Sequence, residues 1–174
     1  ATRGEVTAVD VCPEHLESYL EALRAMGAAV DCEARDVTVA APDGVRGIDV
    51  ATGPHPAFPT DLHPQLAAAL ACADGTSQIV ETVFEGRTTY VDGLRAMGAQ
   101  IATDGRTATI TGVEQLRGAE VEAPDIRAGA ALVIGAVAAR GTSRLAGLEH
   151  LERGYDRLDD KLQSLGACVE RREA

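Results

Sequence analysis

The chain has 174 residues, of which 45% are hydrophobic and 25% charged, a composition typical of a globular protein with one sizeable domain or two small ones. Its formal net charge of −11 argues against general nucleic-acid binding and against binding to an anionic membrane surface, but not against a small anionic ligand held by local arginines. No apolar run reaches transmembrane length, no signal peptide is visible and the four cysteines form no CxxC pair, so we expect a cytoplasmic protein with reduced, partly buried thiols.

A six-residue segment recurs along the chain. LRAMGA occupies Leu23–Ala28 and again Leu94–Ala99, and LQSLGA occupies Leu162–Ala167. A shift of 71 residues aligns Gly4–Ala41 with Gly75–Gly112 without a gap, and a third, looser copy follows. The period is too long for a solenoid repeat, so the sequence predicts copies of a larger supersecondary unit.

Each copy predicts the same elements in the same order. After its glycine comes a strand-like run (EVTAVDV, SQIVETVF or SRLAGLEHL), and then an amphipathic helix with apolar residues at a 3.6-residue spacing. Gly27, Gly98 and Gly166 are predicted to end these helices in the left-handed conformation. Two strands follow in the first two copies, AVDCEARDVTVAA and QIATDGRTATITG. The predicted apolar helix faces are Leu16, Tyr19, Leu20, Leu23 and Met26; Tyr90, Val91, Leu94 and Met97; and Tyr155, Leu158, Leu162 and Leu165.

Two further segments, DLHPQLAAALACAD and IRAGAALVIGAVAA, predict helices before the second and third copies. The latter is apolar nearly all round, and such a helix must be buried. A complete unit is therefore β-α-β-α-β-β, and the fold class is α/β (α+β) with repeated units around buried helices. We expect one incomplete domain with a partial unit at 1–46, a complete unit at 47–117 and a third at 118–174 that lacks its last strand. On this interpretation the chain is a piece of a longer protein.

Charged residues at equivalent junctions of the two later units predict an anion site. Asp61 precedes the interior helix of the second unit, and Arg127 stands 66 residues later; Arg87 precedes the second helix, and Arg153 stands 66 residues later. Such strand-to-helix junctions tend to share one face, and helix N-termini attract anions. Three arginines there would bind phosphate or carboxylate, and an ionised aspartate among them would accept a proton or a hydrogen bond from a substrate hydroxyl.

Simpler interpretations of these residues stay open. Asp61 is also a suitable helix N-cap, and a single arginine at the start of a helix is usually a solvated surface residue. No metal site is predicted, because the four histidines share no ligand spacing; they are His15, His55, His63 and His150. No cofactor is predicted either.

Four segments of the chain carry a family resemblance. They read TGPHPAFPTDLHPQL, ETVFEGRTTYVDGLRAMGA, LRGAEVEAPDIRAGAALVIGAVAARGTSRL and HLERGYDRLDDKLQSLGA, in this order. Together they resemble the C-terminal part of the UDP-N-acetylglucosamine enolpyruvyl transferases (1-carboxyvinyltransferases), and the resemblance covers essentially the whole chain. The sister family, the enolpyruvyl-shikimate-phosphate synthases, shares the fold but fits these blocks poorly.

The resemblance implies one domain of a two-domain, inside-out α/β barrel with the active site in the cleft between the domains. It implies transfer of enolpyruvate from phosphoenolpyruvate to the 3-hydroxyl of UDP-N-acetylglucosamine, with release of phosphate, in peptidoglycan precursor synthesis. The implied partners are these two substrates and the N-terminal half of the enzyme, which carries the family's loop cysteine and phosphate-binding lysine. Without that half we expect the chain to be inactive.

The resemblance also assigns residues. Asp61 matches the aspartate that contacts the acceptor hydroxyl and is the candidate general base. Arg87 and Arg127 match arginines around phosphoenolpyruvate, and Arg153 matches an arginine that engages phosphoenolpyruvate on closure. Asp61, Arg127 and Arg153 are the predicted catalytic residues. The segment that lines the sugar-nucleotide pocket is matched by Val83 and Phe84.

Two departures from the family pattern leave the acceptor open. FEGR has glycine where asparagine is common, and RAGAAL replaces the serine-bearing RASASL, so substrate contacts could differ. Three hypotheses follow: the C-terminal part of the peptidoglycan enzyme, an enolpyruvyl transferase for another nucleotide in secondary metabolism, and a non-catalytic module that binds an anionic ligand or partner. Retention of all four junction residues argues against the third.

Overall fold

The structure is a computed structural model that describes residues 1–172. Within this range the helices are α1 Glu17–Ala25, α2 His63–Leu70, α3 Val91–Ala96, α4 Ile126–Ala138, α5 Leu148–Glu152 and α6 Leu158–Ser164. The strands are β1 Glu5–Ala8, β2 Ala29–Glu33, β3 Asp36–Ala40, β4 Val50–Ala51, β5 Thr76–Val80, β6 Gln100–Asp104, β7 Thr107–Thr111, β8 Glu120–Glu122 and β9 Arg144–Ala146. Short 3-10 turns at Pro13–Leu16 and Thr60–Leu62 precede α1 and α2. Helices and strands are mixed along the chain, which agrees with the predicted α/β class.

Three sheets form in the described residues, and they share one pattern. The middle sheet has the order β4-β5-β7-β6, with β4 parallel to β5 and the other pairs antiparallel. The first sheet, β1-β3-β2, has the pattern of β5-β7-β6, and the third, parallel β8-β9, has that of β4-β5. The register agrees as well, because Thr7 pairs with Thr38 and, 71 residues on, Gln78 pairs with Thr109. This common register explains why the two copies align without a gap.

The unit boundaries at 1–46, 47–117 and 118–174 stay a prediction, and the last two residues of the third unit lie outside the described range. Isolated parallel bridges near the two internal boundaries join Arg46 to Asp74 and Arg117 to Arg140. They extend the β4-β5 and β8-β9 pairings toward those boundaries.

The repeated hexapeptide is a helix ending, as predicted. Gly27, Gly98 and Gly166 have φ angles of 94°, 92° and 90°. Each donates its amide hydrogen to the carbonyl three residues earlier, and the alanine that follows bonds to the carbonyl five residues earlier. Glycine reaches this left-handed conformation without a Cβ penalty, so LRAMGA and LQSLGA stop a helix and reverse the chain.

The core lies between the two predicted interior helices. The α2 residues Leu66, Ala67 and Leu70 are fully or almost fully buried, and α2 packs on α4. On α4 a small residue also permits close packing against α3, because a Cβ on Gly135 would lie 2.8 Å from a methyl carbon of Leu94. The other side of α4 is only half-buried, so the expectation of burial on every face is not met within the described residues.

The third copy departs from the first two. Its predicted strand over SRLAGLEHL ends at Ala146, and α5 follows at once, because Gly147 adopts a φ of 75°. The amphipathic helix α6 buries none of its residues, and Leu165 is 66% exposed. In copies one and two a strand pair follows the helix and packs on it, whereas residues 167–172 form no strand.

The structure bears on two expectations from the composition, the lack of a membrane-spanning segment and the state of the cysteines. Within the described residues, no helix is long and apolar enough to cross a membrane. All four cysteines are free thiols, but only Cys72 is partly buried; the other three are exposed, contrary to expectation.

Candidate functional site

The structure brings Asp61 together with two of the predicted arginines. Asp61 lies in the turn before α2, Arg127 in the first turn of α4, and Arg87 in the loop between β5 and α3. Arg127 Nε donates to Asp61 Oδ1 at 2.5 Å, and Arg87 Nη2 lies 3.3 Å from the same oxygen. Because α2 packs on α4, residues 66 apart in sequence meet at one end of the helix pair.

Asp61 is not a helix cap. No side-chain cap bond is present at the turn Thr60–Leu62 or at the start of α2. The side chain of Asp61 is 64% exposed, and within the described residues only Oδ1 has hydrogen-bond or ion-pair partners. Oδ2 is therefore available to accept a hydrogen bond from a bound molecule.

The amides of Arg127 and Ala128 at the N-terminus of α4 are not available to an anion, which corrects the expectation for this junction. Asp125 caps the helix by accepting from the amides of Arg127 and Ala128 at 2.8 and 3.0 Å. Thr89 donates its hydroxyl to the same carboxylate at 2.6 Å, which ties the loop before α3 to α4. Burial alone would raise the pKa of Asp125, but these hydrogen bonds and the charge of Arg127 lower it.

Arg87 is the most tightly held residue of the cluster. Its side chain is only 7% exposed, its Nε donates to Thr60 Oγ1 at 3.1 Å, and its guanidinium carbon lies 4.4 Å above the centre of the Phe84 ring. This stacking is a cation–π contact, which favours a fixed guanidinium plane. Thr60 and Phe84 thus fix the orientation of the Arg87 guanidinium, and its Nη2 points to Asp61.

The two predicted pocket residues are exposed apolar side chains beside this cluster. Val83 is 45% exposed and Phe84 is 52% exposed. The buried Glu81 holds their backbone, because the amides of both residues donate to its Oε1, at 2.8 and 2.9 Å. An exposed apolar surface on a fixed loop beside charged groups is suited to contact with a ligand.

Arg153 stands apart from the other predicted site residues. It follows the last residue of α5 and is exposed. Within residues 1–172, no hydrogen bond or ion pair joins it to Asp61, Arg87 or Arg127. The short helix α5, which sequence analysis did not predict, lies between β9 and Arg153, so the two later units are not equivalent at this junction.

Beneath the cluster lies a buried polar network that sequence analysis missed. Glu81 is 2% exposed and His63 is fully buried. His63 Nδ1 lies 3.0 Å from Glu81 Oε2, and its Nε2 lies 2.9 Å from the hydroxyl of Tyr90. A signal was present, because the alternation that buries Ser77 and Ile79 in β5 continues to Glu81, the residue after the strand. A carboxylate on such a face requires donors around it.

Opposing effects act on the titratable groups of this network. Burial alone would raise the pKa of Glu81, but the hydrogen bonds that it accepts, above all from His63, lower it to about 2. Burial lowers the pKa of His63 more than its bond to Glu81 raises it. Burial, followed by the charge of Glu81, raises the pKa of Tyr90. At neutral pH, Glu81 is therefore ionised and His63 is neutral.

The two glycines that mark the departures from the family pattern, Gly86 and Gly129, have structural explanations. Gly86 has a φ of 81° with open space where a Cβ would lie, and asparagine tolerates this conformation better than other residues do. A Cβ on Gly129 would lie 3.0 Å from Leu151 Cγ and 3.1 Å from Ala123 Cβ, so this glycine serves the packing of α4 against α5.

The cluster is suited to an anion. Two guanidinium groups face one carboxylate, which leaves an excess of positive charge, and guanidinium binds phosphate and carboxylate through paired donors. In the described part of the chain, no group of three His, Cys, Asp or Glu side chains could hold a metal ion.

Curated relatives match the chain over almost its whole length. A Symbiobacterium thermophilum protein named UDP-N-acetylglucosamine 1-carboxyvinyltransferase 3 is 48% identical over 169 residues, which are 97% of this chain and 40% of the relative. An Anaeromyxobacter sp. protein named UDP-N-acetylglucosamine 1-carboxyvinyltransferase is 46% identical over 98% of the chain and 40% of its own length. A protein of that name from Desulfofundulus thermocisternus is 45% identical and is covered to 70%. The chain thus spans about two fifths of the first two relatives.

Solved structures agree with the sequence comparison. The enolpyruvyl transferase NikO from Streptomyces tendae has a TM-score of 0.82 and 31% identity, over 89% of this chain and 36% of that protein. EPSP synthase from Acinetobacter baumannii has a TM-score of 0.73 at 20% identity, over 98% of this chain and 41% of that protein, and shows the shared fold alone.

The sequence profile of the EPSP synthase family (3-phosphoshikimate 1-carboxyvinyltransferase) matches residues 1–162. With the curated relatives at 43–48% identity all named UDP-N-acetylglucosamine 1-carboxyvinyltransferase, the resemblance of the four segments is confirmed. The chain belongs to the EPSP synthase family of enolpyruvyl transferases, and its resemblance within that family is to the C-terminal portion of the enzymes that bear the UDP-N-acetylglucosamine name.

Proposed function

We propose that the chain supplies the C-terminal part of the active site of a cytoplasmic enolpyruvyl transferase. This enzyme moves enolpyruvate from phosphoenolpyruvate to the 3-hydroxyl of UDP-N-acetylglucosamine and releases phosphate, a step of peptidoglycan precursor synthesis. The remaining portion of the enzyme carries the loop cysteine and the phosphate-binding lysine. The observation that carries the proposal is the contact of Asp61 with both Arg87 and Arg127.

Asp61 is the general base of the proposed reaction. Its Oδ1 is held by the two arginines, and its exposed Oδ2 accepts the proton of the acceptor hydroxyl. The hydroxyl oxygen then bonds to C2 of phosphoenolpyruvate, and C3 gains a proton and becomes a methyl group. In the second step the C2–O bond to phosphate breaks and C3 loses a proton, which yields the enolpyruvyl ether and inorganic phosphate.

The arginines stabilise the negative charge that this chemistry moves. Arg127 uses Nε for Asp61, and its side chain remains 39% exposed, so the terminal nitrogens can reach a carboxylate or phosphate. Arg87 is placed beside it by Thr60 and Phe84. Arg153 joins phosphoenolpyruvate only when the two parts of the enzyme close on each other. Val83 and Phe84 cover the sugar nucleotide.

A second candidate is transfer to another nucleotide. The structural similarity to NikO, which is named as an enolpyruvyl transferase, supports the reaction class without specifying this acceptor. Both candidates share Asp61, Arg87 and Arg127, and they differ in the molecule that contacts Val83 and Phe84.

The test combines the full chain with the portion of the Symbiobacterium thermophilum relative that it does not cover. Phosphate release from phosphoenolpyruvate is measured with UDP-N-acetylglucosamine and with other nucleotides as acceptors. We expect turnover with UDP-N-acetylglucosamine and its loss in Arg127→Ala, whereas the exposed Arg144, paired with Glu120, offers a control in Arg144→Ala. Turnover with another nucleotide alone would favour the second candidate. Wild-type phosphate release by the Arg127→Ala complex would contradict the assignment of Arg127 to the active site.

A further inference from the structure

We propose that the buried Glu81 carboxylate is the positioning group of this site. It holds the exposed Val83–Phe84 segment directly, and it holds Arg87 through Thr60. This role rests on the proposed function insofar as it concerns substrate binding, but the geometry that carries it lies wholly within the described residues.

Five donors converge on this one carboxylate. Oε1 accepts from the hydroxyl of Thr52 at 2.8 Å and from the amides of Val83 and Phe84. Oε2 accepts from the hydroxyl of Thr60 at 2.9 Å and from His63 Nδ1 at 3.0 Å. Both oxygens must be acceptors, since an ionised carboxylate offers acceptor sites only and each oxygen faces at least two donors.

The donors on the His63 side have a fixed direction. Glu81 has no proton to give, so His63 carries its hydrogen on Nδ1 and donates it to Oε2. Nε2 of the neutral ring is then an acceptor, and the Tyr90 hydroxyl donates to it at 2.9 Å. With Glu81 ionised and His63 neutral, the hydrogen bonds run in one direction, from Tyr90 to His63 to Glu81.

The same carboxylate reaches both substrate-facing elements. Two successive amides fixed on Oε1 set the backbone from which the exposed Val83 and Phe84 side chains project. On Oε2, Thr60 donates to Glu81 and so presents its oxygen lone pair to Arg87 Nε at 3.1 Å. Phe84, once placed, forms the surface on which the Arg87 guanidinium stacks. One buried group therefore fixes the apolar segment and the arginine relative to each other.

Glu81→Gln tests this role with little change of shape. With its oxygen at the Oε1 position the amide would still accept from Val83 and Phe84 but would lack the negative charge that strengthens these bonds, and its NH2 group at the Oε2 position would force Thr60 and His63 to reverse their hydrogen bonds or lose them. We expect amide hydrogen exchange of Val83 and Phe84 in the full chain to become about tenfold faster, which corresponds to the weaker hydrogen bonds that a neutral acceptor forms. In the complex with the remaining enzyme portion, we expect the KM for UDP-N-acetylglucosamine to rise about tenfold.

Two further variants separate positioning from stability. Ser77→Ala alters another buried polar group of β5, whose hydroxyl accepts from the Ile48 amide, and we expect faster exchange at Ile48 with no change at Val83 or in the KM. Thr60→Val removes the link to Arg87 but leaves the contacts on Oε1. We expect it to raise the KM for phosphoenolpyruvate severalfold while exchange at Val83 and Phe84 stays unchanged.

The outcomes distinguish this proposal from the proposed function. Partial unfolding would lower the apparent kcat without moving a KM, so an unchanged KM together with unchanged exchange in Glu81→Gln overturns the positioning role. If Glu81→Gln does not fold, Thr60→Val with an unchanged phosphoenolpyruvate KM overturns it instead. If no acceptor supports turnover, the proposed function fails, yet the exchange response of Val83 and Phe84 still decides whether Glu81 positions them.

Discussion

Truncation of the repeated leucine should destabilise the protein by an amount that differs between the three copies. Leu94, in the second copy of the hexapeptide, is fully buried between α3 and α4. Its equivalents, Leu23 and Leu162, are only partly buried. Leu→Ala at a fully buried site loses the transfer free energy of the side chain and leaves a cavity, together about 3–4 kcal/mol. At a half-exposed site the cavity term vanishes and about half of the transfer term remains, or about 1–1.5 kcal/mol.

Urea unfolding of the three variants, followed by far-ultraviolet circular dichroism, measures these differences. We expect the midpoint of Leu94→Ala to shift at least twice as far as those of Leu23→Ala and Leu162→Ala at an unchanged slope. If Leu94→Ala leaves too little folded protein to titrate, Leu94→Val provides a smaller step at the same position. Equal losses at the three positions would refute the inference that the same sequence plays unequal parts in the core.

Three further changes follow from the site. Gly86→Asn should lower the free energy of unfolding by no more than a few tenths of a kcal/mol. Gly86→Val should lower it by more than about 1 kcal/mol, because the φ of 81° disfavours a β-branched residue. Equal losses in the two variants would contradict the left-handed conformation of Gly86. Asp125→Ala should cost about 1–2 kcal/mol at pH 7 through the lost cap and the lost bond to Thr89. Because folding lowers the pKa of Asp125, its carboxylate stabilises the folded protein fully above the unfolded pKa of about 4, and this stabilisation is lost as the pH falls through the folded pKa. A difference in the free energy of unfolding between Asp125→Ala and the wild type that persists in acid would contradict this. Arg87→Lys should lower kcat/KM for phosphate release about tenfold, since lysine keeps the charge but loses the Nε bond to Thr60 and the stacking on Phe84, and unchanged kinetics would rule out that geometry.

Periodicity and glycine placement predicted most of the scaffold. The amphipathic helices of the first two copies, their glycine ends and the interior helices α2 and α4 lie where the sequence indicated. The reason is physical: local spacing of apolar residues and left-handed glycines act within one helix, so each copy can be interpreted alone. The paired offsets of 66 residues also predicted that Asp61 and Arg127 would meet, because both lie at the N-terminal ends of helices that pack together.

Other features depended on contacts that local patterns do not contain. The helix α5 replaces a predicted strand end because Gly147 approaches the backbone of Ala123, and nothing in SRLAGLEHL indicates that approach. Asp125 fills the α4 N-terminus that was expected to bind an anion. The Glu81–His63 pair joins the residue that follows β5 to the first residue of α2, so neither segment alone showed a partner for its buried polar group.

The most direct test of the account is the effect of Asp61→Asn on phosphate release by the complex of this chain with the remaining enzyme portion. Asparagine keeps the size of the side chain but cannot take the acceptor proton, so kcat should fall by about a hundredfold or more. Asp92→Asn is the control, since Asp92 is 96% exposed and, among residues 1–172, forms an ion pair only with Arg95, and its kcat should stay at the wild-type value. An Asp61→Asn complex with a kcat within about threefold of the wild type would contradict the assignment of Asp61 as the general base.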